Sequence, residues 1–164
     1  GNRRRNVTAE ISVQVPAGVR TAGNTVNGDV SVERISSDVR ANTVNGAVRV
    51  TQVTGDVNAR TVNGDVNVDT RVGTVTGETV NGSVTASMGS SGTGDMRFST
   101  VNGGIDITTP STFNADVRLS TLNGSIDSKF PLAFARRRRP TEGTVGSGGR
   151  QLRASTVNGS ITLQ

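Results

Sequence analysis

Thr25-Val26-Asn27-Gly28 is the first of seven near-identical tetrapeptides, and their spacing decides the fold. The tetrapeptides start at residues 25, 43, 61, 79, 100, 121 and 156, and the copy at 121 carries leucine in place of valine. The starts are therefore 18, 18, 18, 21, 21 and 35 residues apart. A regular period of this length is typical of solenoids, propellers and repeat arrays, in which each repeat is one structural unit stacked on the next.

Apolar residues alternate within each repeat. In residues 43–60 they are, in order, Val44, Val48, Val50, Val53, Val57 and Ala59. The first three keep one parity and the last three the other, which places each set on one face of a strand, and the change of parity indicates a corner. We predict an all-β fold, a single-stranded parallel β-helix (a β-solenoid) of about seven to eight coils with 18–21 residues per coil.

Two columns of side chains are predicted to stack in the core of this solenoid. One is the second residue of each tetrapeptide: Val26, Val44, Val62, Val80, Val101, Leu122 and Val157. The other lies four residues later: Val30, Val48, Val66, Val84, Ile105, Ile126 and Ile161. Like residues stacked on like in neighbouring coils are what a repeat protein requires.

The asparagine of each tetrapeptide forms a third column, at a corner where backbone groups leave their strand partners. Stacked asparagine side chains hydrogen-bond to one another across coils, so we predict an Asn ladder. Its members are Asn27, Asn45, Asn63, Asn81, Asn102, Asn123 and Asn158. A remote alternative turns the neighbouring threonines outward as well, which would make a flat Thr-x-Asn array able to bind ice.

Composition restricts the chemistry of the chain. Its 164 residues fit one domain, with four Phe and no Trp or Tyr to fill a deep core. The chain also lacks His and Cys, which excludes nucleophilic triads with a His base, imidazole acid–base catalysis and His- or Cys-ligated zinc. Asp106 and Asp127 share an outward column in successive repeats, and we interpret them as solvated surface acids rather than as a glycosidase pair. We expect a protein that is not an enzyme and has no catalytic, cofactor-binding or metal-binding residue.

The net charge of +5 is concentrated in two clusters. They hold seven of the eighteen basic residues: Arg3, Arg4, Arg5, Arg136, Arg137, Arg138 and Arg139. We predict a basic N-terminal leader at 1–6 and one solenoid domain at 7–164, with a loop insertion at about 129–150 whose apolar start packs on the rod. Both clusters are candidates for contact with a polyanion that weakens with salt. No aromatic residues lie among the arginines, so sequence-specific nucleic-acid binding is not expected.

Several segments resemble a bacterial family of β-strand-repeat domains catalogued as candidate adhesins of unknown function. They are the repeated Thr-Val-Asn-Gly-Asp-Val, the opening Ile11–Val19, the segment Asn114–Thr121, Phe130-Pro131-Leu132 and the closing Gly148–Ile161. The resemblance covers nearly all of residues 7–164. It implies a right-handed single-stranded β-helix, usually exported to the envelope or the outside, with no catalytic residues. The Arg136–Arg139 run is this chain's own addition.

The ends of a solenoid are exposed strand edges that can pair with another chain. We predict assembly ends at Ile11, Val13 and Val15 and at Ile161 and Leu163, which would pair head to tail in a homopolymeric filament. The alternative is a monomeric surface adhesin that binds a glycan or another polyanion through its lateral face or its Arg loop. No apolar run approaches the ~18 residues of a membrane span. We expect an extracellular or cell-envelope location after removal of a signal peptide.

Overall fold

The computed structural model describes residues 16, 18–89, 93–132 and 141–164. These residues form fifteen β-strands and no helix, so this part of the chain contains no helix able to span a membrane. The strands are β1 (Thr21–Asn24), β2 (Val30–Glu33), β3 (Val39–Asn42), β4 (Val48–Val53), β5 (Val57–Arg60), β6 (Val66–Thr70), β7 (Val75–Glu78), β8 (Val84–Met88), β9 (Met96–Ser99), β10 (Ile105–Thr108), β11 (Ala115–Asn123), β12 (Ile126–Ser128), β13 (Thr141–Val145), β14 (Gln151–Asn158) and β15 (Ile161–Leu163).

Each coil contributes one strand to each of two sheets. Sheet A has the spatial order β1-β3-β5-β7-β9-β14-β11-β13, and sheet B has the order β12-β15-β10-β8-β6-β4-β2. Every pairing is parallel except that of β11 with β13. The predicted all-β solenoid is confirmed, and the described residues make seven stacked coils with a two-sheet cross-section.

Inward side chains of the two sheets fill a thin core. The column that begins at Val30 lies there, as predicted, and its inner members are fully buried: Val48, Val66, Val84, Ile105 and Ile161. Its end members, Val30 and Ile126, are partly buried against the same core. Val is the commonest buried residue of this core, and Phe98 and Phe113 are its largest fully buried side chains.

The column that begins at Val26 is not in the core, and that prediction is wrong. Val44, Val62, Val80 and Val101 are 38–39% exposed, and Leu122 is 72% exposed. The inward residue at this point is the preceding threonine: Thr43, Thr61, Thr79, Thr100 and Thr156 are all buried. Val39, Ala41 and Thr43 are buried at every second position. The alternation of inward and outward side chains in β3 therefore continues as far as Thr43, and the corner follows that residue.

The C-terminal coil does not lie at an end of the stack. β14 lies between β9 and β11 in sheet A, and β15 lies between β10 and β12 in sheet B. Ile161 and Leu163 are completely buried there, so the prediction that they form an exposed assembly end is wrong. Both edges of β15 already have strand partners, which leaves it no free edge for another copy.

The insertion closes the end of the stack beyond β11 and β12. Its strand β13 pairs antiparallel with β11, and its apolar start behaves as predicted, with Leu132 buried and Phe130 partly buried on the core. The insertion was expected to be a loop, so β13 corrects that prediction. The predicted polyanion and assembly residues of the termini and insertion lie outside the described residues: Arg3, Arg4, Arg5, Ile11, Val13, Val15, Arg136, Arg137, Arg138 and Arg139.

Candidate functional site: the asparagine corner and an arginine row

The predicted Asn ladder is confirmed as a continuous chain of six side-chain hydrogen bonds, each 2.8–2.9 Å long. In each bond the Nδ2 of one asparagine donates to the Oδ1 of the asparagine in the coil before it in the stack. In spatial order the ladder runs Asn27, Asn45, Asn63, Asn81, Asn102, Asn158, Asn123. Because a primary amide both donates and accepts, one residue type can continue such a chain indefinitely.

The backbone of the corner is bonded between coils in the same way. The Gly46 amide donates to the Asn63 carbonyl at 3.0 Å, and the Thr61 hydroxyl donates to the Gly46 carbonyl at 2.9 Å. A Cβ on Gly46 would lie 2.2 Å from the Gly28 carbonyl oxygen, so no larger residue fits. Thr, Asn and Gly of the tetrapeptide are therefore needed for stacking, whereas the valine makes no hydrogen bond between coils through its side chain and is exposed.

This arrangement removes the geometric basis of the ice-binding alternative at the described corner. The threonine hydroxyls point into the coil and are bonded to glycine carbonyls, for example Thr79 to Gly64 and Thr156 to Gly103. An outward Thr-x-Asn array would need those hydroxyls on the surface.

A second ordered array lies on the outer face of sheet A. Arg97 of β9 pairs with Arg153 of β14, and Arg153 pairs with Arg118 of β11. All three side chains are exposed. Neighbouring strands of a sheet are about 4.8 Å apart. We call these three residues the arginine row.

Few carboxylates neutralise the arginine row. Arg118 forms an ion pair of 3.1 Å with Glu142, and Arg153 donates two hydrogen bonds to the Gln151 side chain at 2.9 and 3.2 Å. No described residue forms an ion pair or a hydrogen bond with the Arg97 guanidinium. Like charges on directly opposed strand positions destabilise a sheet, so three consecutive arginines carry a cost that nothing in the stacking requires.

The nearest carboxylates of β11 and of the turn before β9 have other partners. Asp95 accepts a hydrogen bond from the Gln151 amide at 2.9 Å, and Asp116 accepts one from the Thr144 hydroxyl at 2.9 Å. An open groove of about 390 Å³ has Arg118 and Arg153 in its lining, together with Asp116, Gln151 and Glu142, the ion-pair partner of Arg118. The groove therefore presents guanidinium groups to solvent while its acids are held by the chain.

The two outer faces differ in charge. The strands of sheet A carry five arginines and three acids, a balance of +2. The strands of sheet B carry one arginine and four acids, a balance of −3. Both counts cover strand residues alone. An anionic ligand would therefore be attracted to sheet A and repelled from sheet B.

The structure also changes the interpretation of two acids. Asp106 and Asp127 both pair with Thr162, which lies between them. Their backbones are thus two strand spacings apart, about 9.6 Å, and the expectation that they neighbour each other is wrong. Among the described residues no cluster of three or more acids is arranged to hold a metal ion.

Arg150 differs from the arginine row in being anchored. Its guanidinium lies 4.3 Å from the centroid of the Phe113 ring, and its Nε donates to the Asn114 carbonyl at 3.0 Å. Burial lowers the pKa of Arg150, but arginine keeps its charge near neutral pH. This side chain fixes the return from β13 into β14.

Sequence reasoning found the ladder but missed the arginine row. Asp95-Met96-Arg97-Phe98 and Asp116-Val117-Arg118-Leu119 occupy the same place in successive repeats, and Gln151-Leu152-Arg153-Ala154 has its arginine at the same position. The row forms only because β14, which carries Arg153, lies between β9 and β11. The order of the segments in the chain does not indicate this arrangement.

Comparison with known proteins identifies the fold family. Searches of curated proteins and of solved structures gave no significant match. A family model described as Toastrack DUF4097 matches residues 21–164, which include every strand described above. The chain therefore belongs to the Toastrack family (DUF4097), a family of β-solenoid-like domains of unknown function.

Proposed function

We propose that this domain is a non-catalytic binding module that holds a linear acidic glycan on the outer face of sheet A. The observation that carries the proposal is the arginine row, Arg97, Arg153 and Arg118, on three adjacent strands. Guanidinium groups bind carboxylates and sulfates through paired, charge-assisted hydrogen bonds. A row of them suits a ligand whose charges also repeat along a line.

The geometry of the face favours an extended polymer over a small molecule. The groove beside the row is open, and a rigid stack of strands presents its side chains at a fixed spacing. A polymer that lies across the strands meets one guanidinium in each of the three coils of the row. Several weak contacts of this kind add along one chain, since each later contact is intramolecular.

An adhesive role on the cell surface or outside the cell fits this proposal, because acidic glycans are abundant there. The resemblance to candidate adhesins agrees with it. Head-to-tail assembly into a filament receives no support from the described end of the stack, because β13 is antiparallel and Leu132 covers the core. We therefore place binding through the lateral face first.

The test uses a charge-matched pair of variants. In the first, Arg97, Arg118 and Arg153 are changed to Gln; in the second, Arg34, Arg49 and Arg71, three exposed residues outside sheet A, are changed to Gln. Binding to a linear polyuronate and to a neutral glucan of similar length is measured over a range of salt concentrations. We expect a roughly 10- to 100-fold weaker affinity for the polyuronate in the first variant alone.

Four results would contradict the proposal. Equal losses in both variants would mean that net charge, rather than the row, attracts the polymer. Unchanged binding in the first variant would remove the row as a site, and a loss confined to Arg136–Arg139→Gln would move the site to the insertion. Equal binding of the neutral glucan would contradict an anionic ligand. Circular dichroism of each variant checks that the fold is retained.

A further inference from the structure

The Asn ladder has two different ends. In six of the seven tetrapeptides the glycine amide donates to the asparagine carbonyl of the next coil, as Gly28 does to Asn45 at 2.9 Å and Gly159 does to Asn123 at 3.0 Å. Gly124 belongs to the last coil of the stack. No described residue accepts a hydrogen bond from its amide.

The side chain of Asn123 is also held on one side only. Its Nδ2 donates to the Oδ1 of Asn158 at 2.9 Å, but no described residue donates to its own Oδ1. The inner asparagines are held on both sides, as Asn102 is by Asn81 and Asn158. Leu122, the residue before Asn123, is the most exposed apolar residue of the tetrapeptides at 72%.

Asn27, at the opposite end, has the reverse arrangement. Its Oδ1 accepts from Asn45 at 2.9 Å, and the amide of its following glycine, Gly28, is bonded to the next coil. The two terminal asparagines are both exposed and both precede glycine. They differ in whether the glycine nitrogen has a partner.

We propose that Asn123 is the site of spontaneous deamidation in this domain and that the ladder protects the other six Asn-Gly pairs. The backbone nitrogen of Gly124 attacks Cγ of Asn123 and loses its proton, the Cγ–Nδ2 bond breaks, and Nδ2 takes up a proton and leaves as ammonia. Water then opens the succinimide ring at either carbonyl, which gives aspartate or isoaspartate. Glycine offers no side chain to block the attack.

At the inner positions the same reaction must first break two kinds of contact. The glycine nitrogen has to leave the carbonyl of the next coil, and the asparagine Cγ has to leave a ladder in which both its amide atoms are bonded. At Asn123 no described residue bonds to the Gly124 nitrogen or to the side-chain Oδ1, and only Nδ2 holds the side chain in the ladder.

The product would loosen the end of the stack. Conversion of Asn123 to an acid removes the Nδ2 that donates to the Oδ1 of Asn158. Isoaspartate also adds one carbon to the main chain at the corner. The coil affected is the one that carries Arg118 in β11. Deamidation of Asn123 would therefore disturb the coil that holds Arg118, the outermost arginine of the row.

The sequence makes this proposal easy to test on the unmodified chain. Trypsin places each of the seven Asn-Gly pairs in a separate peptide: 21–34, 41–49, 61–71, 72–97, 98–118, 119–129 and 154–164. The folded protein is incubated at mildly alkaline pH, and the acid form of each peptide is quantified by mass spectrometry over time. We expect peptide 119–129 to convert roughly tenfold faster than the peptides of the inner asparagines.

Peptide 21–34 is the matched control, because Asn27 is terminal and exposed but its glycine nitrogen is bonded. It should convert slowly, and in the urea-unfolded chain all seven peptides should convert at similar rates. Conversion of 119–129 no faster than 21–34 in the folded protein would overturn the proposal. A preference for 119–129 that persists in urea would also overturn it, since the cause would then be local sequence.

Discussion

The first five coils and the last two are built from the same repeat but stack in different orders. From β1 to β10 each coil lies on the coil that precedes it in the chain. The last two are reversed, so that β14 and β15 lie on β9 and β10, while β11 and β12 lie outside them. The Asn ladder passes through both regions without a break. The repeat therefore specifies how a coil stacks but not which coil it stacks on.

Side-chain size offers a physical reason for the reversed order. Phe98 of β9 has Gly77 on one side and Ala154 on the other, and Leu119 follows Ala154. A Cβ on Gly77 would lie only 3.1 Å from the Phe98 ring, which shows how closely this column is filled. In chain order Phe98 would lie directly on Leu119, two large residues together in a thin core. The coil with Ala154 separates them.

A disulfide between engineered cysteines gives the sharpest test of the reversed order. The pair Asp106→Cys with Thr162→Cys should oxidise, because neighbouring strands are about 4.8 Å apart, within the usual range for a disulfide. The pair Asp106→Cys with Asp127→Cys should stay reduced, because its separation of about 9.6 Å is beyond that range. The chain has no cysteine of its own, and the mass under non-reducing conditions reports the bond. A disulfide in the Asp106→Cys, Asp127→Cys protein and none in the Asp106→Cys, Thr162→Cys protein would mean that the coils stack in the order of the chain.

Truncation of one isoleucine compares an inner coil with an outer one. Ile161→Ala should lower the free energy of unfolding by about 2–5 kcal/mol, because Ile161 is completely buried between two coils. Ile126→Ala, in the same column, should cost clearly less because Ile126 is only partly buried in the last coil. Urea denaturation measures both. If β15 were the terminal strand, Ile126→Ala would be the more damaging change.

Enlarging an alanine tests the size argument. Ala154→Leu should destabilise the fold by about 1–3 kcal/mol through overpacking between Phe98 and Leu119. The control is Ala41→Leu in the first five coils, where the paired neighbours are Gly23 and Ala59. Thermal denaturation should show the smaller loss for Ala41→Leu. Equal losses would mean that column neighbours do not decide the coil order.

The smallest loss of stability is expected from substitutions in the Asn ladder. Asn102→Ala, at the junction of the two regions, removes the Nδ2 that donates to Asn81 and the Oδ1 that accepts from Asn158. The change should lower the free energy of unfolding by about 1 kcal/mol. Asn27→Ala removes one bond at the exposed end and should cost about half as much. A loss at Asn27 as large as that at Asn102 would show that the ladder contributes little beyond its individual corners. Chemical denaturation of the two variants provides the comparison.

The sequence was sufficient for the main features that repeat with a fixed period. The solenoid, the 18-residue coil and the Asn ladder all follow from spacing. The inward Val26 column was wrong by one residue, because a threonine bonded to glycine carbonyls substitutes for an apolar residue in the core. Parity alone cannot locate a corner when the last inward residue is polar.

The position of the last coil could not be predicted for a different reason. Residues 156–164 match two possible neighbours equally well in the tetrapeptide pattern, so local sequence does not choose between them. The choice rests on contacts such as Phe98 with Ala154, which involve residues 56 positions apart. The arginine row depends on the same choice and was missed with it.

The reversed order has a consequence for the synthesis of the chain. Residues 115–128 are made before residues 151–163, yet they belong on the far side of them. Until the later segment exists, the earlier coil must either wait unpaired or rest on β9 and β10 and then be displaced. Long-range pairing of this kind slows folding. Completion of the rod is therefore the step at which a newly made chain remains longest open to misassembly.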